Sequence, residues 1–217
     1  MADIATGGWV LRAHVPDGIF TLALDADDHS AATEHAAFAD RCQPLLLQAV
    51  GGDATEVGWL RDDLIGQLGA LRQAVKADGL GYLGALAGER DGRPALVLLG
   101  IAATPLAYPD GIDPASLLAA MLRKKYPGAA VEEFPTAHAA AVGVRRCDTV
   151  CLPSNGGDGG PVPIDVGISQ ALVPFPEAGL IGQVTGCSFR PEDVDLATVF
   201  TATIGHHMNV ASVMERA

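Results

Sequence analysis

The middle of the chain carries the pattern that decides the fold. Gly81-Tyr82-Leu83-Gly84-Ala85-Leu86-Ala87-Gly88 is followed by Arg90-Asp91-Gly92-Arg93 and then by the apolar run Ala95–Ala102. Asp-Gly between two apolar segments is a strong short-range signal for a β-hairpin. A continuous apolar run between turn residues is typical of a strand buried on both faces. The sequence therefore predicts a hairpin whose second strand is covered on both sides.

The segment before this hairpin has helical periodicity. Apolar residues recur every three or four positions at Leu60, Leu64, Leu68, Leu71 and Val75. This spacing predicts a helix with one buried face, while Arg61, Asp62, Arg72 and Lys76 lie off the apolar stripe. Asp53 or Thr55 is the expected N-cap, and Gly79 is the expected end of the helix.

The N-terminal region predicts a second hairpin and a helix. Trp9–Val15 and Ile19–Leu24 are β-rich runs separated by Pro16-Asp17-Gly18, a sequence suited to a turn. Ser30 is then expected to cap a short Ala-rich helix that reaches about Cys42, and Pro44 interrupts the pattern beyond it.

The second half of the chain is mostly strand-like. Asp113 precedes Pro114 as an N-cap for a helix over 114–125. The further predicted elements are strands at 130–134, 139–152, 165–173 and 180–189 and a helix from about Pro191 to His207. Adjacent strand pairs in the order ββ-αα-ββ-α-ββ-ββ-α favour a single α/β domain over residues 1–217, an α/β/α sandwich with a mainly antiparallel sheet.

Composition limits the class of function. The chain has 217 residues, 49% of them hydrophobic, and a formal net charge of −12. The apolar content excludes wholesale disorder, and the acidic balance argues against binding nucleic acid, which needs clustered Lys and Arg. The N-terminus lacks the basic and apolar regions of a secretory signal, and the apolar stretch Pro94–Leu106 is shorter than the roughly 20 residues of a membrane span. We expect a cytoplasmic protein without membrane insertion.

The cysteines favour reduced thiols. Cys147 and Cys151 form a C-x3-C pair in a predicted strand, and four residues along a strand span about 13 Å. A disulfide needs Cα atoms within about 7 Å, so this pair can bond within the chain only if the strand is broken. Cys42 and Cys187 complete the set, and no C-x2-C motif is present.

Other candidate motifs have simpler explanations. Gly156-Gly157-Asp158-Gly159-Gly160 lacks the lysine of a phosphate-binding loop, so a surface loop is favoured. His206-His207 are adjacent on a predicted helix and point about 100° apart, which is poor geometry for one metal ion. The carboxylates Asp25, Asp27 and Asp28 lack calcium-loop spacing. Cys187 has no base nearby in the sequence, although a remote histidine stays an alternative. The clusters Arg123-Lys124-Lys125 and Arg145-Arg146 are interpreted as solvated. We therefore predict no catalytic residue, no cofactor and no metal.

The two chain ends resemble the Mog1/PsbP-like fold. The resemblance lies in Val15-Pro16-Asp17-Gly18-Ile19-Phe20, in Gln170–Pro176 and Leu180–Gly186, and in the helix with Val199–Ile204. In that family a strand, a short proline-containing turn, a second strand and a terminal helix close the sheet. The resemblance implies an α/β/α sandwich and mostly non-enzymatic roles as a binding, accessory or assembly protein.

The leading hypothesis is thus a non-catalytic protein-binding, accessory or assembly protein whose partner is another protein or a second copy of the chain. The alternative is a small-molecule enzyme or ligand-binding protein with a pocket between sheet and helices. Phe175, between Pro174 and Pro176, is the candidate interaction residue, because aromatic residues dominate interface hot spots. Phe175 and the adjacent loop 152–162 together form the candidate interaction surface. This role requires Phe175 to be exposed, and the alternative is that Phe175 belongs to the core.

Overall fold

The larger of two antiparallel sheets organises the structure. The computed structural model describes residues 1–49, 54–152 and 162–213. Within these ranges every strand pairing is antiparallel, so the chain is a mixed α/β protein with antiparallel sheets, as predicted. The elements are β1 (Ala2–Thr6), β2 (Trp9–Ala13), β3 (Phe20–Leu22), α1 (Asp28–Ala49), α2 (Ala54–Ala77), β4 (Tyr82–Arg90), β5 (Arg93–Pro105), α3 (Pro114–Lys125), β6 (Ala130–Pro135), β7 (Ala140–Leu152), β8 (Val162–Phe175), β9 (Leu180–Ser188), α4 (Val194–His206) and β10 (Asn209–Ser212).

Seven strands form the larger sheet in the order β3-β4-β5-β9-β8-β7-β6, and three form the smaller sheet in the order β1-β2-β10. The predicted hairpin lies within the larger sheet as β4 and β5. Its turn residues Asp91 and Gly92 both have positive φ, 52° and 72°, the geometry of the turn that Asp-Gly favours.

Both faces of the larger sheet are packed. On β5, Val97 and Leu99 belong to a core cluster that includes Ala197 and Ile204 of α4. The alternate residue Leu98 packs on the opposite face, against the cluster formed with helices α1 and α2. This alternation explains why the sequence of β5 is apolar throughout.

Helix α3 covers another part of the face that carries α1 and α2. Leu118 and Leu122 of α3 cluster with Val142 and Val144 of β7. The register pairs Val142 with Leu172, Leu172 with Gln183, and Gln183 with Ala102. Because directly paired residues point to the same face, this series links α3 to the Leu98 side of β5.

The predicted N-terminal hairpin is wrong. Strand β2 pairs with β1 and β10 in the smaller sheet, whereas β3 pairs with β4 in the larger one. Pro16-Asp17-Gly18 therefore belongs to a connection between two sheets. Neither β1 nor β10 was predicted.

Helix α1 differs from its prediction at both ends. It begins after Asp27, whose carboxylate accepts hydrogen bonds from the amides of His29 and Ser30, both at 3.0 Å. Ser30 is therefore not the cap. The helix continues through Pro44 to Ala49, because packing against α2 and β3–β5 outweighs the local preference to stop.

The apolar stripe of α2 is confirmed in its central part. Leu68 is 3% exposed and packs with strand residues of the cluster formed with α1 and α2. Leu64, Leu71 and Val75 pack against the same cluster. Leu60, the first residue of the predicted stripe, is 37% exposed, so the packed part of the stripe begins after it. Of the two proposed caps, Asp53 lies outside the described residues, and Thr55 is not the cap because the helix already begins at Ala54.

Arg72 is not the solvated residue that its position off the stripe suggested. Its side chain is 5% exposed and donates to the carbonyl oxygens of Ala23, Leu24 and Ala26 and to the Asp28 carboxylate at 3.1 Å. Arg72 thus holds the connection between β3 and α1 against α2.

Helix α3 agrees with its prediction. It begins at Pro114, and the Asp113 carboxylate accepts a hydrogen bond from the amide of Ser116 at 2.8 Å. Among the described residues, no helix combines the length and hydropathy that a membrane crossing requires.

Candidate functional site

A row of polar side chains lies on the sheet face between the two groups of helices. Helix α1 packs on β3, β4 and β5, and α3 packs on β6, β7 and β8. The central strand β9 lies between these two areas, and its residues Gln183, Thr185 and Cys187 alternate toward that face. All three are only half-buried. Together with Gln170 of β8 and Arg146 of β7, they form what we call the polar strip.

Hydrogen bonds connect the members of the polar strip across three strands. Arg146 Nη1 donates to Gln170 Oε1 at 2.9 Å, and Gln170 Nε2 donates to Thr185 Oγ1 at 3.2 Å. Gln183 Nε2 also donates to Thr185 Oγ1, at 3.0 Å. Since the threonine oxygen accepts from both amides, its own hydroxyl hydrogen is available to donate outward.

Arg146 is the charged residue of the strip, and its position is fixed. Its guanidinium lies over the Tyr126 ring, 4.1 Å from the centroid. The side chain is 15% exposed, and its Nε is 3.7 Å from a carboxylate oxygen of Asp148. Within the described residues this Nε is buried and makes no hydrogen bond. A buried N–H without an acceptor is unfavourable, so the site favours an additional acceptor.

A second cation increases the positive potential beside Arg146. Lys125 Nζ, at the end of α3, is 5.2 Å from the centroid of the same Tyr126 ring. Arg146 was expected to be solvated together with Arg145, and the structure separates the two. Arg145 points to the opposite face, where it pairs with Glu132 and Asp195, both at 3.4 Å.

Cys187 is the one thiol of the strip. Burial raises the pKa of Cys187 above its ordinary value, and the nearby positive charge of Arg146 only partly opposes this shift. The thiol is therefore protonated at neutral pH, and a protonated thiol is a poor nucleophile.

Two further regions of the same face supply apolar surface. The register places Leu98 of β5 beside Cys187 and Leu172 of β8 beside Gln183. Both leucines are half-buried. The strip thus combines one fixed cation, neutral donors and apolar neighbours, a composition that suits the binding of an organic anion.

The predicted interaction residue Phe175 is in the core. Its side chain is 2% exposed and clusters with Val173, Leu180 and Met208. It points inward because strand alternation places it on the same face as Val173. Pro174 is also buried, and only Pro176 is exposed. The exposure that the Phe175 hypothesis required is therefore absent, and the core alternative is correct.

The segment Pro174–Glu177 nevertheless lines a cavity of about 270 Å³ next to the N-terminus of α3, together with Asp113 and His138. A second cavity, of about 160 Å³, lies under α4 on the opposite sheet face and is lined by Phe134, Ser169 and Thr201. Ser169 and Thr201 there hydrogen-bond to each other at 2.9 Å, so their polar atoms are already paired.

The histidine and aspartate motifs make contacts within the fold. His206 and His207 have ring centroids 4.8 Å apart with nearly perpendicular planes, and His207 also approaches His14. Asp27 caps α1 and Asp28 pairs with Arg72. In the part of the chain that the structure describes, no three His, Cys, Asp or Glu side chains are grouped so that they could hold a metal ion.

The remaining motifs are the C-x3-C pair and the glycine loop. Cys147 and Cys151 lie in the unbroken strand β7, and both are exposed free thiols. The loop with Gly156–Gly160 and most of the predicted 152–162 surface lie outside the described residues.

The polar strip was not predicted, although the sequence of β9 contains a signal for it. Gln183, Thr185 and Cys187 alternate with the small or apolar residues Gly182, Val184 and Gly186. In a central strand, such an alternation indicates a face that no helix fully covers.

Comparison with known proteins suggests no relationship: no family model, no curated protein and no solved structure matches the chain.

Proposed function

We propose that this chain is a non-catalytic binding protein and that its polar strip holds an acidic segment of a protein partner. The observation that carries this proposal is the fixed, largely buried guanidinium of Arg146, which stacks on Tyr126 at the α3 side of the polar strip. The ligand group is a carboxylate, which matches the planar donor fork of arginine.

Preorganisation supports a binding role for Arg146. Stacking on Tyr126 and the hydrogen bond to Gln170 already restrict the side chain, so little additional entropy is lost when a ligand binds. The Asp148 carboxylate lies 3.7 Å from Arg146 Nε, so it only partly neutralises the guanidinium charge. An incoming carboxylate would take the place of this long contact, and Lys125 adds attraction to the same area.

The position of the strip favours an extended segment. Helix α1 packs on β5 and α3 packs on β8, and β9 lies between these two strands. A segment that runs along β9 would therefore meet the strip between the two helices. Thr185 and Gln183 would hydrogen-bond its polar groups, while Leu98 and Leu172 would contact apolar side chains.

The state of Cys187 supports binding rather than catalysis. Its pKa is raised by burial, so the thiol beside Arg146 is not an activated nucleophile. The alternative hypothesis is a small-molecule enzyme or ligand-binding protein with a pocket between sheet and helices. An enzyme of that kind that used Cys187 as its nucleophile would need an activating base beside the thiol. The described structure pairs no histidine with Cys187.

A Mog1/PsbP-like α/β/α sandwich and an accessory or assembly role belong to the same proposal. The support is the order β5-β9-β8-β7 with helix α4 packed across it, and the short turn Pro176–Ala178 between β8 and β9. These elements contain three of the four segments on which the resemblance depends, namely 170–176, 180–186 and 199–204, whereas the segment 15–20 lies in the connection between the two sheets and at the start of β3. The added sheet β1-β2-β10 is a feature that the resemblance does not imply.

A peptide-library experiment tests the binding proposal. A displayed library of random peptides is selected on the wild-type protein, and the affinities of the enriched peptides are measured by fluorescence anisotropy. We expect enrichment of Asp, Glu or free C-terminal carboxylates. We also expect Arg146→Gln to weaken binding about 10- to 100-fold, the range for a lost hydrogen bond to a charged group.

The adjacent arginine provides a matched control. Arg145→Gln removes the same charge from the opposite face, so binding should change by less than about threefold at moderate salt. Arg146→Lys keeps the charge but loses the fork, and melting temperatures show whether each variant is folded. Equal losses for the two arginine variants, or enrichment of peptides without carboxylates, would contradict the proposal.

A further inference from the structure

Strands β7 and β8 extend beyond the larger sheet as a two-stranded arm. Strand β7 has 13 residues, but β6 pairs only with Ala140–Arg145. Strand β8 pairs with β9 only from Gly167 onward. In the described ranges, residues 147–152 therefore pair with 162–167 and with no other strand.

Among the described residues, no strand pairs with the outer edge of this arm. An unpaired strand edge is a template for further pairing. Cys147, Asp148, Thr149 and Cys151 are all exposed. Proteins commonly protect such edges with proline, bulges or inward charges, and β7 has no proline in this stretch.

We propose that the β7 edge pairs antiparallel with the β7 edge of a second copy of this chain, about a two-fold axis at Thr149. The residue order is self-complementary in this register. Thr149 faces Thr149 of the second copy, Cys147 faces Cys151, and Asp148 faces Val150. No two like charges are directly opposite each other, and like charges there would oppose the pairing.

The spacing of the two cysteines is the observation that selects this occupant. Directly opposite residues of an antiparallel pair have Cα atoms about 4.5–5.5 Å apart, within the range that a disulfide requires. Within one chain the two residues are about 13 Å apart along the strand and cannot bond. A C-x3-C pair on an open edge thus places two thiol pairs symmetrically about the axis, one on each side.

Glutathione disulfide can oxidise the facing thiols, so that disulfide bonds join the two copies. A Cys147 thiolate attacks glutathione disulfide, forms a mixed disulfide and releases one glutathione. The Cys151 thiolate of the second copy then displaces the second glutathione. Each Cys147–Cys151 bond therefore oxidises two protein thiols and reduces one glutathione disulfide to two glutathiones, and the dimer forms two such bonds.

A mixing experiment distinguishes this register from any other thiol contact. Cys147→Ser, Cys151→Ser and an equimolar mixture of the two are incubated with glutathione disulfide and separated on non-reducing gels. Each variant alone should stay uncrosslinked, because its remaining thiol faces serine. The mixture should crosslink, because one copy supplies Cys151 and the other Cys147.

The contradicting outcomes are equally specific. A crosslink in either single variant would show pairing in a different register or through Cys42 or Cys187, which both variants retain. Absence of a crosslink in the mixture would overturn the proposal. Mass spectrometry of the wild-type crosslink should find Cys147 joined to Cys151.

Sedimentation of the reduced protein tests the non-covalent pairing. The wild type should sediment as a dimer, increasingly so at higher salt, because each copy carries a net charge of −12. Thr149→Lys places two like charges face to face at the axis and should shift the protein to a monomer. Thr104→Lys, at an exposed position of β5, is the matched control and should remain a dimer. A wild type that is monomeric at every concentration would contradict the proposal.

Discussion

Strand β9 has two faces of opposite character. On one face Gly182, Val184 and Gly186 lie under α4 and the smaller sheet, and on the other Gln183 and Thr185 belong to the polar strip. A Cβ at Gly186 would lie 3.0 Å from Thr201 and 3.1 Å from Ala197, so the closed face leaves no room for a side chain there. One strand thus uses its smallest residues where packing is complete and its polar residues where the sheet is open.

This contrast suggests how stability and function are divided. The closed face holds the largest core cluster, and changes there should alter the free energy of unfolding. The open face has half-buried residues, and changes there should alter binding with little effect on stability.

The largest effect is expected at neighbouring leucines of β5 that point to opposite faces. Leu99 is fully buried on the α4 side, and Leu98 is half-buried on the other. Leu99→Ala should lower the free energy of unfolding by about 2–5 kcal/mol, since it removes buried methyl groups and leaves a cavity. Leu98→Ala should cost roughly 1 kcal/mol, because less of its surface is buried. Urea denaturation measures both, and equal losses would contradict the division.

A smaller loss is expected from adding one methyl group to the closed face. A Cβ at Gly182 would collide with Met208 Sδ, whereas a Cβ at Gly69 in α2 meets nothing within 4 Å. Gly182→Ala should cost about 1–3 kcal/mol through overpacking. Gly69→Ala should instead stabilise by about 0.5–1 kcal/mol, because alanine is the better helix residue.

The two variants make the same chemical change, so the sign of the difference between them is the result. Thermal unfolding followed by circular dichroism measures it. A Gly182→Ala protein as stable as the wild type would show that α4 and β10 can move away from β9, and the closed face would then be adaptable.

The sequence predicts local elements of this fold better than distant pairings. The hairpin of β4 and β5 is set by Asp91-Gly92, and the start of α3 by Asp113, because those signals act over a few residues. Strand β2 instead pairs with β10, nearly 200 residues later, and no local turn signal specifies this. The false N-terminal hairpin arose because Pro16-Asp17-Gly18 suits a turn and a connection between sheets equally well.

The candidate site was harder to predict for the same reason. Arg145 and Arg146 are adjacent and identical in type, so composition assigns both to solvent. Strand alternation sends Arg146 to the face with Tyr126, and that contact depends on how α3 lies on the sheet. By contrast, the burial of Phe175 follows from its two-residue spacing from Val173, a local pattern that favours the core alternative.

The smallest predicted effect is the pH dependence of stability that arises from α1, the helix beside the open face. His35 of α1 is 4% exposed, and its Nε2 is buried and makes no hydrogen bond within the described residues. Burial lowers the pKa of His35 from its ordinary 6.5, and the positive charge of Arg72 lowers it further, while Glu34 acts in the opposite direction. The folded state therefore favours the neutral imidazole.

The sign of the pH dependence follows from this shift. Below about pH 6.5 the unfolded chain binds a proton at His35 more readily than the folded chain does, so stability should fall on acidification from pH 7.5 to 5.5. His35→Leu should remove this part of the slope. The pKa values of Asp27 and Asp113 are lowered by hydrogen bonds from Ser30 and Ser116, so their stabilising contributions are lost only as the pH falls below their ordinary 3.8. Urea denaturation at both pH values measures the slope, and an identical slope in the wild type and in His35→Leu would show that His35 accepts its proton without opening α1.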